Sequence, residues 1–295
     1  MHAERPSSTA LLIARCILLA DRDPALRPLV PPGAVEPLMA MLASVGGGQW
    51  FHFALKHEST RASLRTLERA VLPGIVAHYL ARKQWIEQRA LEALDAGCTQ
   101  FVVLGAGFDT LAWRLHQTRP DVNFMELDHA ATQRPKSRAL VRGRNVTFVP
   151  VDLTRTLPAE ALRGHPHFDP RRRTFWIAEG LFMYFAPARV KEILWDVAHL
   201  SGSEIAFTFM APGRDGRATF RGGSAVIDAW LRLRHESFAW SIAPASLAEF
   251  IRPLGLRLGM TAGAPELRSQ VLAPAGLSTH ALAEGEFLCT AKSCL

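Results

Sequence analysis

The sequence predicts an α/β fold built around one doubly wound, mostly parallel sheet. The basis is a series of five short apolar runs, spaced as in strand–helix–strand units, at residues 101–104, 122–127, 146–151, 174–177 and 205–209. The first run is apolar at every position, which is typical of a parallel strand covered by helices on both faces. A later apolar run predicts a closing strand at 286–292.

Helices are predicted before and after this core. Apolar residues recur at helical spacing in three segments separated by prolines and glycines, at 9–20, 35–42 and 64–94. After residue 212 the pattern predicts two more helices, at 224–235 and 245–253. We therefore predict a single domain over 1–295, consisting of a helical cap at 1–95, an α/β core at 96–212, and a lid segment with closing strands at 213–295.

Composition excludes several classes of protein. A chain of 295 residues with 48% hydrophobic residues can fill a large core, which excludes disordered and fibrous structures. The apolar stretch at 11–20 is too short to span a membrane, contains Arg15 and lacks the flanking residues of a secretory signal. We therefore expect a cytoplasmic protein that does not bind membranes.

Cysteine spacing and charge exclude further kinds of site. The four cysteines are scattered without a C-x-x-C pair, so we expect neither a disulfide framework nor a metal site. The formal charge of +7 comes from arginines spread along the chain, with one tight run at 171–173 and no nucleic-acid-binding motif. We expect no nucleic-acid partner, and instead a small-molecule acceptor of acidic character.

A glycine turn follows the first predicted strand, in the sequence LGAGFDT. Gly105 and Gly107, which flank Ala106, allow the positive φ angles and the close backbone approach that a bound cofactor requires. A dinucleotide site would carry Gly or Ala in place of Thr110, and Asp109 would repel a pyrophosphate at the helix N-terminus. The turn therefore favours a cofactor without phosphate groups, such as S-adenosylmethionine (SAM), and Gly105, Ala106, Gly107 and Asp109 are its expected contacts.

Polar residues end the next three predicted strands. Glu126 and Asp128 end the second strand, where a carboxylate can bind both hydroxyls of a ribose. Asp152 and Leu153 end the third, where a carboxylate and an apolar side chain can contact an adenine, and Glu179 ends the fourth. Because the carboxyl ends of parallel strands meet at one edge of a sheet, these residues predict a single cofactor site.

These motifs together resemble the leucine carboxyl methyltransferase family, including its bacterial branch of SAM-dependent methyltransferases. The matching residues are LGAGFDT at 104–110, WRL at 113–115, ELD at 126–128, Lys136, VPVDL at 149–153 and AEGLFMY at 178–184. The resemblance runs from about residue 9 to residue 291. It implies a class I SAM-dependent methyltransferase with a Rossmann-like sheet and SAM as the cofactor.

The resemblance also implies roles for individual residues. Gly105 is expected at the methionine part of SAM, Asp128 at the ribose, Asp152 and Leu153 at the adenine, and Glu179 near the methionyl amino group.

Two arginines extend the implied site. Arg82 matches the arginine that binds the SAM carboxylate, a role that suits a planar guanidinium, and Arg15 in the first helix is a further match. Lys83 departs from the pattern, because bacterial relatives often carry threonine directly after this arginine.

The expected chemistry is methyl transfer to oxygen by positioning. The sulfonium methyl group of SAM is a strong electrophile, so an ionised carboxylate acceptor needs no general base. A hydroxyl acceptor would need one, for which His129 and Tyr184 are candidates by position. Four aromatic residues of the lid segment, Phe220, Trp230, Phe238 and Trp240, could line the acceptor pocket or belong to the core.

Several functions remain open from the sequence. The first is an O-methyltransferase for a small carboxylate or hydroxyl compound, including polyketide-type acceptors. The alternatives are a protein C-terminal carboxyl methyltransferase and a SAM-binding protein without catalytic activity, with a dehydrogenase ranked last.

Overall fold

A seven-stranded sheet forms the centre of the protein, in a computed structural model that describes residues 6–46, 48–140 and 143–294. The spatial order of the strands is β3-β2-β1-β4-β5-β7-β6. They are β1 Gln100–Leu104, β2 Asn123–Asp128, β3 Val146–Pro150, β4 Thr174–Ala178, β5 Glu204–Met210, β6 Leu256–Ala262 and β7 Glu286–Ser293. Strands β1 to β5 are parallel, whereas β7 is antiparallel to both neighbours. The predicted α/β fold with a mostly parallel sheet is confirmed.

Helices cover both faces of this sheet. Five precede β1: α1 Ser8–Asp21, α2 Val35–Ser44, α3 Gly48–Ala54, α4 Glu58–Val71 and α5 Ile75–Asp95. Between the strands lie α6 Leu111–Leu115, α7 Ala130–Ala139, α8 Pro158–Ala161 and α9 Pro187–Ala198. After β5 come α10 Ala225–Leu233, α11 Leu247–Ile251 and α12 Ala264–Leu267, the last continued by a π-helical turn at Arg268–Leu272.

The alternation of side chains along β1 divides the apolar core into two layers. Phe101 and Val103 belong to the layer under α1, α2 and α5, whereas Val102 and Leu104 belong to the layer under α9 and α11. Successive strand residues point to opposite faces, so a strand buried on both faces must be apolar at each of these positions. This explains the uniform apolar run from which the strand was predicted.

The helical cap differs from the prediction over residues 64–94. The periodic segment predicted at 64–94 is two helices, because α4 ends at Val71 and α5 begins at Ile75. Pro73 has no N–H group to continue the first helix, and Gly74 adopts the left-handed conformation with φ of 77°. The chain changes direction there, so that α5 runs through the core while α4 stays on the surface.

Strand β6 and the helices α3 and α12 were not predicted. Strand β6 lies at the edge of the sheet, pairs with β7 alone and has an irregular register between Leu258 and Thr261. Its middle residues are largely exposed, which removes the apolar signal on which the other strand predictions rest. Helix α3 begins at Gly48, within the run of glycines that the sequence predicts as a separator between helices.

The structure also bears on membrane spans, disulfides and metal clusters. In the part of the chain that the structure describes, no helix has both the length and the hydrophobicity needed to cross a bilayer. All four cysteines are free thiols. No cluster of potential metal ligands occurs among the described residues.

A buried ion pair connects β2 to α7 beneath the sheet edge. The Lys136 ammonium lies 2.5 Å from the Glu126 carboxylate, and both side chains are almost completely buried. Lys136 also donates a hydrogen bond of 2.5 Å to the backbone carbonyl of Asp109. Apart from Lys136, the Glu126 carboxylate has no partner among the described residues. Burial raises the pKa of Glu126 to about 7, although Lys136 acts to lower it.

We expect the substitution Lys136→Met to lower the free energy of unfolding by about 3–5 kcal/mol at pH 8, because it leaves a buried carboxylate without its cation. A carboxyl group with a raised folded-state pKa stabilises the fold at low pH, and this contribution is lost as the pH rises through about 7. The loss in the variant should therefore be smaller at pH 5. Urea unfolding at both pH values measures it.

The control is the double variant Glu126→Leu/Lys136→Met, which replaces the pair with apolar groups and should recover most of the stability. An equal loss at pH 5 and pH 8, or a double variant as unstable as the single one, would contradict this account.

Candidate functional site

A cleft of about 930 Å³ opens at the carboxyl edge of the sheet, above the ends of β1, β2 and β4. Helix α1 lies across it and α5 closes one side. Helix α1 and its N-cap contribute Ser7, Thr9, Ala10, Ile13, Ala14 and Ile17, and α5 contributes Arg82 and Lys83. The ends of β1, β2 and β4 and the segments that follow them contribute Gly105, Ala106, Gly107, Phe108, Asp109, Asp128, Glu179, Gly180, Leu181, Tyr184 and Phe185.

The glycine turn after β1 forms the floor of this cleft. Gly105 and Gly107 have φ angles of 65° and 52°, which side-chain-bearing residues rarely adopt. A Cβ atom on Gly105 would lie 2.6 Å from the side chain of Leu181, and one on Gly107 would lie 3.2 Å from the Cβ of Ala10. Because both positions lack side chains, the backbone of the turn is exposed to a ligand in the cleft.

Asp128 is held at the end of β2 by this turn. Its Oδ2 accepts a hydrogen bond of 2.6 Å from the N–H of Gly107, and its Oδ1 accepts one of 2.6 Å from the N–H of His129. Burial raises the pKa of Asp128, and the two N–H donors oppose the shift. The carboxylate is thus fixed in orientation with lone pairs left for a ligand, as ribose hydroxyls require.

Five charged side chains of alternating sign form a chain of ion pairs, in the order Glu286, Arg82, Glu179, Lys83 and Asp109, and the last four of them line the cleft. We call this set the charge chain. Arg82 lies 2.8 Å from Glu286 and 2.8 Å from Glu179, and Lys83 lies 3.1 Å from Glu179 and 2.5 Å from Asp109. All five side chains are at least four-fifths buried.

The charge chain controls the ionisation of its members. Burial alone would raise the pKa of Glu286, but the cation of Arg82 and the hydrogen bond from His78 hold it at about 2. Burial acts in the same direction on Asp109, and Lys83 holds the pKa of that carboxyl below its ordinary range. For Lys83 itself, Asp109 and Glu179 outweigh burial and raise the pKa of the ammonium.

Seven of the eleven predicted cofactor residues line the cleft. These are Arg82, Gly105, Ala106, Gly107, Asp109, Asp128 and Glu179. Asp152 and Leu153 lie at the same sheet edge, after the end of β3, but outside this lining. The Asp152 carboxylate accepts hydrogen bonds from the N–H and hydroxyl of Thr154, so it shapes its own turn. Their assignment to an adenine stays a prediction.

Two other predicted residues are placed away from the cleft. Arg15 lies on the exposed side of α1, with its guanidinium 5.6 Å from the ring of Phe51, because the cleft-facing positions of that helix are taken by small and apolar residues. Glu126 lies two residues before the end of β2, where its carboxylate is buried against Lys136, and it is not part of the described cleft lining. The structure assigns neither residue to the cofactor site.

The two candidate general bases are engaged in structural contacts. His129 caps α7 by accepting the N–H of Ala131 at its Nδ1. Tyr184 does line the cleft, but burial raises the pKa of its hydroxyl well above the ordinary value, and its side chain hydrogen-bonds Thr9. The Tyr184 hydroxyl is therefore held protonated near neutral pH, and the Nδ1 atom of His129 is occupied by the helix cap.

Three of the four lid aromatics belong to packed clusters, whereas Trp230 on α10 is half-buried. Trp240 lies in the core with Phe182, Phe209 and Phe250, and Phe220 and Phe238 pack between His78 and Tyr184. None of these lid residues is part of the described cleft lining.

Two acidic residues from the last third of the chain complete the site and were not predicted. Glu286 begins β7 and orients Arg82. Glu236 accepts hydrogen bonds from the N–H groups of Ser8 and Thr9, at 2.8 and 2.9 Å, and thereby caps α1 above the cleft. The sequence held one signal for Glu286, namely a charge at the start of an otherwise buried strand.

Comparison with known proteins identifies the family. The sequence profile described as Leucine carboxyl methyltransferase matches residues 22–198, which is more than half of the chain. The chain belongs to the leucine carboxyl methyltransferase family. It is therefore a SAM-dependent methyltransferase by family, and SAM is its cofactor.

Individual relatives agree with this assignment. A protein of Mycobacterium marinum named “Putative S-adenosyl-L-methionine-dependent methyltransferase” is 32% identical over 68% of this chain and 62% of its own length. A relative with the same name from Mycolicibacterium gilvum is 34% identical over 61% of this chain and 70% of its own length. The crystal structure of a “putative methyltransferase” from Thermobifida fusca covers 90% of this chain and 98% of its own, with a TM-score of 0.55 and 16% identity, and it supports the fold alone.

The chemistry of the cleft fits SAM. The described lining carries two cations, Arg82 and Lys83, against three carboxylates, Asp109, Asp128 and Glu179, so its formal charge is −1. SAM carries a sulfonium, an ammonium and a carboxylate, hence a net charge of +1, and would neutralise the site. Asp128 would hold the ribose, the turn at Gly105 would adjoin the methionine part, and the charge chain would bind the amino-acid end.

We expect Asp128→Asn to weaken SAM binding at least tenfold, because it removes a charge-assisted contact with the ribose that is worth about 1.5–3 kcal/mol. Asparagine keeps one oxygen for the N–H of Gly107, so the turn should stay folded. Isothermal titration calorimetry measures the affinity. Arg15→Ala is the control and should change it less than twofold, since Arg15 lies outside the cleft. Tenfold weaker binding in Arg15→Ala, or unchanged binding in Asp128→Asn, would contradict this placement.

Proposed function

We propose that the protein transfers the methyl group of SAM to a carboxylate or hydroxyl oxygen of a small molecule. The observation that carries the proposal is the state of the titratable groups in the cleft. Among its described lining residues, the carboxylates and cations are engaged in ion pairs or backbone hydrogen bonds, and Tyr184 is held protonated. The site supplies no free base, so it suits an acceptor oxygen that arrives already ionised, as in a carboxylate.

The role of the protein residues is then to bind, orient and exclude water. The charge chain and Asp128 would fix the two ends of SAM, whose sulfonium methyl supplies the electrophile. Leu181, Phe185 and Ile13 form the apolar part of the cleft, which would keep water from the reacting atoms. An acceptor oxygen in line with the bond between sulfur and methyl would complete the arrangement.

A small acceptor is favoured by the covering of the cleft. Helix α1 lies across it and is held at its N-terminus by Glu236 of the lid segment. A protein C-terminus would have to enter beneath this helix. We therefore place a protein carboxyl terminus second as an acceptor. A cytoplasmic location agrees with the four free thiols.

The acidic nature of the acceptor rests on reaction chemistry and not on the arginines of the lid segment. Arg217 and Arg221 are exposed, lie near Asp215 and Glu284, and are not part of the described lining. The basic balance of the chain therefore does not by itself create a positive acceptor pocket.

With a panel of small carboxylic acids, phenols and alcohols, we expect methyl transfer from labelled SAM to carboxylates, with kcat constant between pH 6 and pH 8. His129→Ala and Tyr184→Phe should each lower kcat for a carboxylate less than about tenfold, because neither removes a proton from the acceptor. Radiolabel transfer to the extracted product measures kcat.

Peptides that end in a free carboxylate form the comparison arm. Transfer to these peptides alone would replace the small acceptor with a protein C-terminus. A hundredfold loss of kcat in His129→Ala would contradict catalysis by positioning. Tight SAM binding without transfer to any member of either panel would favour a binding protein.

A further inference from the structure

Lys83 occupies an unusual position in the site. It follows Arg82 directly on α5, its side chain is 10% exposed, and it lines both the main cleft and a small adjoining pocket that Asp109 and Glu179 also line. Burying an ammonium costs several kcal/mol unless carboxylates compensate. The resemblance to bacterial relatives, which often carry threonine here, gives no role for a lysine.

The contacts of Lys83 leave part of its binding capacity open. Its Nζ donates to Asp109 Oδ2 at 2.5 Å and to Glu179 at 3.1 Å, with the second Glu179 oxygen at 3.4 Å. An ammonium has three N–H donors, and the contact at 3.4 Å is long and weak, so a ligand carboxylate in the cleft could replace it. Asp109 does not depend on Lys83 for its orientation, because its other oxygen accepts the N–H of Leu111 at 2.7 Å.

Arg82 alone is poorly placed to bind a ligand carboxylate. Its guanidinium is held between Glu286 and Glu179, with Nη1 directed to the first and Nε and Nη2 to the second. A third carboxylate approaching it would be repelled by both. A second cation beside Glu179 offsets this repulsion, and Lys83 is the cation that the structure places there.

We propose that Lys83, together with Arg82, binds the carboxylate of the amino-acid end of SAM and makes the site selective for a sulfonium that carries this group. Glu179 and Asp109 remain available to the cofactor's ammonium. Each charge of the zwitterion then meets the opposite charge in the charge chain. This inference concerns the cofactor alone and does not depend on the acceptor proposed above.

The test compares SAM with its decarboxylated form, which keeps the sulfonium and the amine but lacks the carboxylate. Calorimetry gives the affinity of each ligand for the full-length protein and for Lys83→Met, Lys83→Thr and Lys83→Arg. We expect the preference for SAM over the decarboxylated ligand to fall at least tenfold in the methionine and threonine variants. The arginine variant, which keeps the charge, should retain most of the preference.

Lys191→Met is the matched control, because it removes the same charge from an exposed position on α9 and should leave the preference unchanged. An unchanged preference in Lys83→Met and Lys83→Thr would overturn the proposal. An equal loss of affinity for both ligands would also overturn it, since it would show that Lys83 only supports the structure. Because binding is the readout, failure of this proposal is distinct from failure to find an acceptor.

Discussion

The burial of three carboxylates and two cations in one alternating chain is the constraint on which the rest of the site depends. Glu286, Arg82, Glu179, Lys83 and Asp109 come from the start of β7, from α5, and from the ends of β4 and β1. Each charge is tolerated in the interior only because a neighbour compensates it. The positions of four elements around the cleft are therefore coupled through electrostatics as well as through apolar packing.

The apolar frame explains why α5 can supply both cations. Most of this helix is buried between the sheet and the other cap helices, and the side chains of Arg82 and Lys83 lie on its buried part. Arg82 and Lys83 reach the sheet edge, where strand ends offer carboxylates in place of solvent. The helical cap thus supplies two charged residues to the cleft as well as part of its apolar lining.

Features that depend on local sequence were predictable, and features that depend on distant contacts were not. The core strands follow from short apolar runs, and the turn at Gly105 and Gly107 follows from the need for positive φ angles. Which side of an element faces the cleft could not be read in the same way. Arg15 and Glu126 belong to correctly predicted elements but point elsewhere. Edge strand β6 was not predicted, because its largely exposed middle residues give no clear alternation of apolar and polar positions.

The separation of Arg82 and Glu286 by 204 residues has a thermodynamic consequence. Because β7 lies between β5 and β6 and its first residue orients Arg82, an Arg82 that binds the cofactor as proposed would be held in position only while this strand is docked. Ligand binding and strand docking are therefore linked equilibria. A hundredfold excess of ligand over Kd adds about 2.7 kcal/mol to the folded state that binds it. In this fold, such a stabilisation would act most directly on β6 and β7. The free energy needed to open these two strands locally would rise with the cofactor concentration.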